Sequence, residues 1–309
     1  MLLTLTTVTV FTMGCNNMEI KNIGGTFVAF DASGKEVARS KSKYYLKQKI
    51  QNMDVAPVED NRAIEFPINQ RFEFVEQIVG MIANRVSPSV VITGEGGLGK
   101  THTVMQALER AGLRNVTDLI ADVDIGTVDT DETMFVVIKG FSTAKGLFKL
   151  LYENRNATIV FDDCDSILKD PDALNLLKGA LDSYDTRYIS WNTSFTDDSL
   201  PRMFQFTGGV IFISNLSQDK INQAIRSRSM CIDLSMTVDQ KIDRMEHIMK
   251  QDSFLPSVPT IQKMEAFEFL RTNRNEAREI SLRTLITVSK IRQAGSSNWE
   301  QLAKYMLVN

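Results

Sequence analysis

The sequence predicts an α/β chain: a three-layer core around a parallel sheet, a small all-helical domain behind it, and a small β-β-α module in front. Three observations predict this. Short apolar runs at 90–93, 134–138, 157–161 and 209–213 alternate with segments of helical spacing, and near-continuous apolar strands of this kind suit a sheet covered on both faces. The first of these runs ends in a glycine-rich loop followed by a helix-compatible segment, His102 to Ala111. From residue 238 onward the periodicity is helical throughout, which marks a separate helical unit.

The glycine loop carries the first chemistry. Gly94, Glu95, Gly96, Gly97, Leu98, Gly99, Lys100 and Thr101 form the complete G-x-x-x-x-G-K-[ST] pattern between strand and helix. The glycines let the backbone turn tightly and aim successive N–H groups inward. The helix opening near Lys100 adds free N–H groups and its positive dipole end. Lys100 can reach the β- and γ-phosphates, and the Thr101 hydroxyl can ligate magnesium. His102, next in line, is counted with the nucleotide-binding residues. The expected ligands are ATP and Mg²⁺.

A second landmark lies where the strand at 157–161 runs into Asp162 and Asp163. Carboxylates at the C-terminal ends of parallel strands face the ligand crevice. Asp162 can hold the metal, directly or through water, and Asp163 can polarise an attacking water. Asp165 reads as a helix cap or a surface residue. The strand from Gly209 ends at Asn215, an amide that can orient water or the γ-phosphate. Arg226 and Arg228 follow on a turn, where a guanidinium fork suits a neighbour's phosphate.

Bulk properties narrow the class. The 309 residues are 43% hydrophobic and 24% charged, with a formal net charge of -3 and a pI near 5.6. No global basic field exists to hold nucleic acid. Three distant cysteines, Cys15, Cys164 and Cys231, make neither a disulfide framework nor a zinc spacing, and a reducing cytoplasm is the simplest compartment. Residues 1–17 are an apolar, threonine-rich tail of uncertain status. The tail lacks the Lys or Arg of a signal peptide and is too short to span a bilayer, although Thr12-Met13-Gly14-Cys15 resembles a lipoprotein cleavage site. A disordered tail, an added strand, or translated sequence ahead of a start at Met18 are the readings preferred, and no membrane association is expected.

The rest of the chain divides in order. Residues 18–51 read as a basic β-β-α module, with strands at 26–30 and 35–39 and a helix from Ser42 through Lys43, Tyr44, Leu46 and Ile50. Within 21–50, seven Lys/Arg face two acids, a surface for a phosphate backbone, for an acidic partner, or simply for water. Residues 52–69 are a linker and 70–236 the core. The core opens with a helix carrying Phe72, Val75, Ile78, Val79 and Ile82, which Pro88 stops. Residues 112–133, with Asp118, Asp122, Asp124, Asp129, Asp131 and Glu132, read as an exposed acidic loop. Residues 219–225 read as a helix. Residues 192–209 read as a loop or hairpin, with Phe195, Phe204 and Phe206 packing it down in preference to touching a substrate. Residues 237–309 form the helical lid.

The ordered set of motifs resembles the AAA-plus ATPase superfamily over about residues 67–309. The loop at 94–101 is similar to its Walker A, Ile159-Val160-Phe161-Asp162-Asp163 to its Walker B, and Ile213-Ser214-Asn215 to its sensor 1. Ala224-Ile225-Arg226-Ser227-Arg228-Ser229 resembles the arginine-finger box, with Arg228 the first choice and Arg226 the second. Ile280-Ser281-Leu282-Arg283-Thr284-Leu285 resembles sensor 2, which puts Arg283 over the phosphates of its own subunit; Arg278 is the fallback. The family usually carries Glu where this chain has Asp163, one methylene shorter. The resemblance implies a P-loop NTPase core, Mg-dependent ATP hydrolysis and a homo-oligomer, often a hexameric ring. A basic module ahead of an Asp-Asp pair looks like the ATPases of large DNA bacteriophages. The expected work is a nucleic-acid transaction, as helicase, loader or packaging aid. A protein remodeller and a nucleotide-gated scaffold with little turnover are the alternatives.

Overall fold

The computed structural model describes residues 9–13, 16–30, 34–43, 46, 66–118, 130–140, 143–191 and 200–309. The chain forms two compact units, Met1–Glu65 and Phe66–Asn309. In the first, β1 (Thr9–Met13), β2 (Asn16–Ile23), β3 (Thr26–Phe30) and β4 (Glu36–Ser40) make an antiparallel sheet in that order. The predicted β-β hairpin is therefore β3–β4, extended by two further strands. Its small core is Ile20, Ala29, Ala38 and Leu46. Most of the helix predicted from Ser42, including Tyr44, Tyr45 and Ile50, lies outside the described residues, as do the linker up to residue 65, Asp122, Asp124, Asp129 and Phe195.

The second unit is built on six parallel strands in the order β12-β5-β11-β8-β7-β6. These are β5 (Ser89–Thr93), β6 (Arg114–Asn115), β7 (Met134–Lys139), β8 (Thr158–Asp162), β11 (Gly209–Ile213) and β12 (Met230–Asp233). Side chains alternate between two faces, as strand geometry demands. Val91, Val136, Ile159, Phe161, Val210 and Phe212 enter one core. Val90, Ile92, Phe135, Val137, Val160, Ile211 and Ile213 enter the other. The second face is covered by α1 (Ile68–Ala83) and α2 (Lys100–Arg110), which supply Phe72, Val75, Val79, Ile82, Val104 and Leu108 at helical spacing. The first is covered by α3 (Ala144–Glu153) and α4 (Pro171–Ala180). Each large apolar side chain buried this way contributes roughly 1.5–3 kcal/mol.

Two local details differ from the sequence reading, and a third decides the choice it left between loop and hairpin. The stretch 112–133 is not all loop: Arg114–Asn115 forms β6 at the sheet edge, where the Arg114 amide donates to the Thr133 carbonyl at 2.8 Å. The segment 219–225 is two short turns, a 3-10 turn at Gln218–Lys220 and α5 (Gln223–Arg226). Asn222 restarts the helix because its side-chain oxygen accepts from the Ala224 amide at 2.9 Å. The stretch before β11 is a hairpin, in which β9 (Arg187–Ser190) pairs antiparallel with β10 (Met203–Phe206). Phe204 and Phe206 are buried, so they pack the hairpin down as expected, while Tyr188 and Met203 are exposed on its other face.

The lid is α6 (Val238–Met249), α7 (Thr260–Thr272), α8 (Leu282–Gln293) and α9 (Trp299–Val308) around Met245, Phe267, Leu270, Leu285, Val288 and Leu307. Thr237 and Gln240 form a reciprocal capping box that starts α6 immediately after the sheet ends. Two arginines fasten the lid to α1. Arg71 donates to the carbonyls of Asp233 and Ser235 on the connection, and Arg244 on α6 lies 3.6 Å from the centre of the Phe72 ring and donates to Asn69.

Candidate active site

The parallel register brings the chemistry together. Thr93 is level with Asp233 and Ile92 with Ile213; Ile213 pairs with Asp162, and Asp162 with Lys139. The glycine loop and the acidic pair therefore leave the same edge of the sheet, with only β11 between their strands. This is the crevice outside the carboxyl ends of an open α/β sheet.

Two loop glycines are required by what surrounds them. Gly94 has φ +132°, and a Cβ there would sit 2.8 Å from the Leu234 carbonyl carbon. Gly97 has φ +77°, and a Cβ there would sit 3.0 Å from that of Ser281. Both the connection to the lid and the lid itself press against the loop. Gly94→Ala should lower stability by about 1–3 kcal/mol, since the neighbour is backbone and cannot yield. Thermal unfolding checks this, and an unchanged midpoint contradicts it.

Lys100 is buried at the start of α2 and donates to the carbonyls of Gly94 at 2.6 Å and Glu95 at 2.7 Å, and to Asn215 Oδ1 at 3.0 Å. Burial pushes its ammonium below the ordinary lysine value, and Asp163 and then Asp162 oppose that shift. Asn215 donates through Nδ2 to Asp163 Oδ1 at 2.6 Å. One amide thus joins the lysine to the second carboxylate. Asp163 has a positive φ of 56°, a conformation that Asp tolerates better than most residues. Thr101 Oγ1 donates to Asp162 Oδ1 at 2.9 Å.

Thr101 and Asp162 are hard oxygen donors held side by side, and a magnesium ion is commonly held by one or two carboxylates plus substrate phosphates. The residues therefore fit that ion. Asp165 is neither a cap nor free, because it accepts from Ser214 Oγ at 2.6 Å and braces the β11 end against the acid strand. Cys164 is buried and donates to the Ile138 carbonyl. Burial raises its thiol to about 11, which leaves it protonated and inert at neutral pH.

Gly96, Gly97, Gly99, Lys100, Thr101, His102, Asp162, Asp163, Asn215 and Arg283 line one cleft of about 260 Å³. Arg283 reaches it from the lid. Leu98 is buried in the core beneath the loop, so its contribution is backbone only. Glu95 turns away to pair with Lys241 of α6, and the Leu282 amide donates to the Gly97 carbonyl at 2.8 Å. Arg278 is committed elsewhere, to the Asn309 carbonyl. Arg226 and Arg228 are absent from the cleft lining. Arg228 sits at the opposite end of β5, where its carbonyl accepts from Ser89.

Sequence reasoning missed an adjoining cavity of about 480 Å³ between α1, α2 and the lid. Phe72, Gly99, His102, Arg244, Ile248 and Leu282 are among its walls, and Gly99, His102 and Leu282 also line the first cleft. No linear pattern signals it, since it exists only once the lid docks.

No protein-family model matches the chain. An uncharacterised 36.7 kDa protein of Enterobacteria phage T4, from the nrdC-mobD intergenic region, is 28% identical over 254 residues, covering 76% of this chain and 73% of the relative. Among solved structures, C. elegans PCH-2 aligns at TM-score 0.42 and 14% identity over 78% of this chain. This chain spans just under two thirds of PCH-2, 66%. The E. coli MS115-1 HORMA:CdnC:Trip13 complex contains a chain aligning at TM-score 0.35 and 12% identity, over 79% of this chain and 93% of that one. In its parallel sheet with helices on both faces, its glycine loop leaving β5 and the helical lid behind it, the chain has the architecture of a P-loop NTPase core with a helical lid.

Proposed function

We propose that this protein is a magnesium-dependent ATPase of AAA-plus type that acts as a homo-oligomeric motor. The observation that carries the reading is the 2.9 Å contact of Thr101 with Asp162, set beside an Asn215 that bridges Lys100 and Asp163. Loop amides and Lys100 hold the β- and γ-phosphates, and the base enters the larger cavity. Thr101 and Asp162 hold the metal, which neutralises phosphate charge when bound. Asp163, kept in place by Asn215, orients water. Arg283 senses the phosphates from the lid, and Arg228, with Arg226 as second choice, serves the nucleotide of the next copy in a ring, six copies being the usual number in the family. Similarity to the T4 protein supports a bacteriophage origin.

The polymer acted on is a polypeptide in this reading. The β9–β10 hairpin exposes Tyr188 and Met203, an apolar surface suited to protein. In the basic module, Arg39 is paired with Glu36 and Lys21 lies over the Phe30 ring, so at least two of its seven cations are engaged within the module. Asp163→Asn protein should keep ATP binding, lose turnover by roughly 100-fold or more, and retain a polypeptide partner in pulldowns with ATP. A nucleic-acid motor is the second reading, motivated by the surplus of Lys/Arg in 21–50. Turnover stimulated by single- or double-stranded DNA, with no protein captured, would favour that second reading. Turnover indifferent to DNA supports the first.

A further inference from the structure

Lys139 is the last residue of β7 and the ladder partner of Asp162 on β8. Paired residues on parallel strands project to the same side, so the lysine and the carboxylate share one face of the sheet end. Lys139 Nζ lies 3.6 Å from Asp162 Oδ2, the oxygen not engaged by Thr101. Asp162 is thereby held between a hydroxyl proton on one oxygen and an ammonium on the other. Its side chain is only 7% exposed, whereas that of Lys139 is 72% exposed and free to swing into solvent.

We infer that Lys139 is a built-in counterion for Asp162: it pairs with the carboxylate in the resting site and gives it up when the magnesium-bound nucleotide enters. This rests on the nucleotide site proposed above and adds a residue that no motif contains. The physical need is plain. Two adjacent carboxylates, Asp162 and Asp163, face the position of a polyanion, and like charges a few ångströms apart oppose entry. A tethered cation relieves that repulsion and is released once a divalent ion supplies more charge at shorter range. Two consequences follow with opposite signs. Magnesium must compete with Lys139, so the lysine weakens metal binding. Metal-free nucleotide meets a neutralised carboxylate, so the lysine favours it.

The test is equilibrium binding of a fluorescent ATP analogue across a series of free magnesium concentrations, for wild type, Lys139→Gln and Lys139→Arg, with no turnover measured. Lys139→Gln should lower the half-saturating magnesium about threefold or more, the scale of an exposed ion pair, and weaken binding in EDTA. Lys139→Arg should stay near wild type. Because the side chain is mostly exposed, unfolding curves of the three proteins should coincide. A half-saturating magnesium that is unchanged overturns the inference. So does one that rises, which would make Lys139 a phosphate ligand instead. Wild-type protein that binds no nucleotide at any magnesium level would remove the ATPase reading itself, an outcome visible before any variant is compared.

Discussion

Lys100→Ala protein should bind ATP about 100-fold more weakly than wild type, a loss of about 2.7 kcal/mol. The ammonium is the one cation buried within the glycine loop, and charge-assisted hydrogen bonds to phosphate are the strong ones. Its removal also strips the donor from three acceptors, the carbonyls of Gly94 and Glu95 and the amide oxygen of Asn215. An unsatisfied acceptor in a buried place costs roughly 1–3 kcal/mol, so the loop should loosen as well. Lys100→Arg should fail to rescue, because a planar fork cannot point one nitrogen at three converging oxygens. Titration with a fluorescent nucleotide reads the effect, and unchanged affinity would refute the assignment of this loop.

Arg228→Ala should leave ATP binding nearly intact and reduce turnover about 10³-fold, the scale of an arginine that completes a phosphate site. Arg228 lies beside Ser89 at the start of β5, and the glycine loop begins after Thr93 at its end. Five residues at about 3.3 Å each separate them, which is further than a guanidinium can extend. In the proposed ring, the phosphates it serves are those of another copy. Mixing Arg228→Ala protein with Asp163→Asn protein should therefore recover activity, since one copy supplies the acid and the other the arginine. A loss that mixing does not relieve would place Arg228 in a structural role. Arg226→Ala, on the more exposed neighbour, should show the smaller effect.

Most of the site was legible because its residues sit at strand ends, where apolar runs stop at polar positions. Val90–Thr93, Phe161–Asp162 and Ile213–Asn215 each announce a C-terminal edge, and parallel pairing aligns such edges. What the sequence hid depends on contacts between distant segments. Glu95 reads as a loop residue, yet it ties the loop to Lys241 on the lid. Lys139 reads as the polar end of an apolar strand until the register sets it level with Asp162. The cavity beside Phe72 and Arg244 needs two helices and the lid in place. Among the arginines, Arg283, the first choice, faces the cleft, whereas Arg278, the fallback, is drawn off by the carbonyl of Asn309. The hairpin at 187–206 escaped a firm reading because its strands are four residues each and the segment between them is polar.

The proposed activity requires Thr101 and Asp162 to serve one metal-bound triphosphate. A double-mutant cycle on ATP affinity tests this most directly, using Thr101→Ala, Asp162→Asn and the pair, each with magnesium and with EDTA. Residues acting on one ion are strongly non-additive, so the double variant should bind little worse than the weaker-binding single one in magnesium, and that coupling should fall in EDTA to the part their direct hydrogen bond supplies. Additive losses in magnesium, or the same coupling with the metal removed, would contradict it.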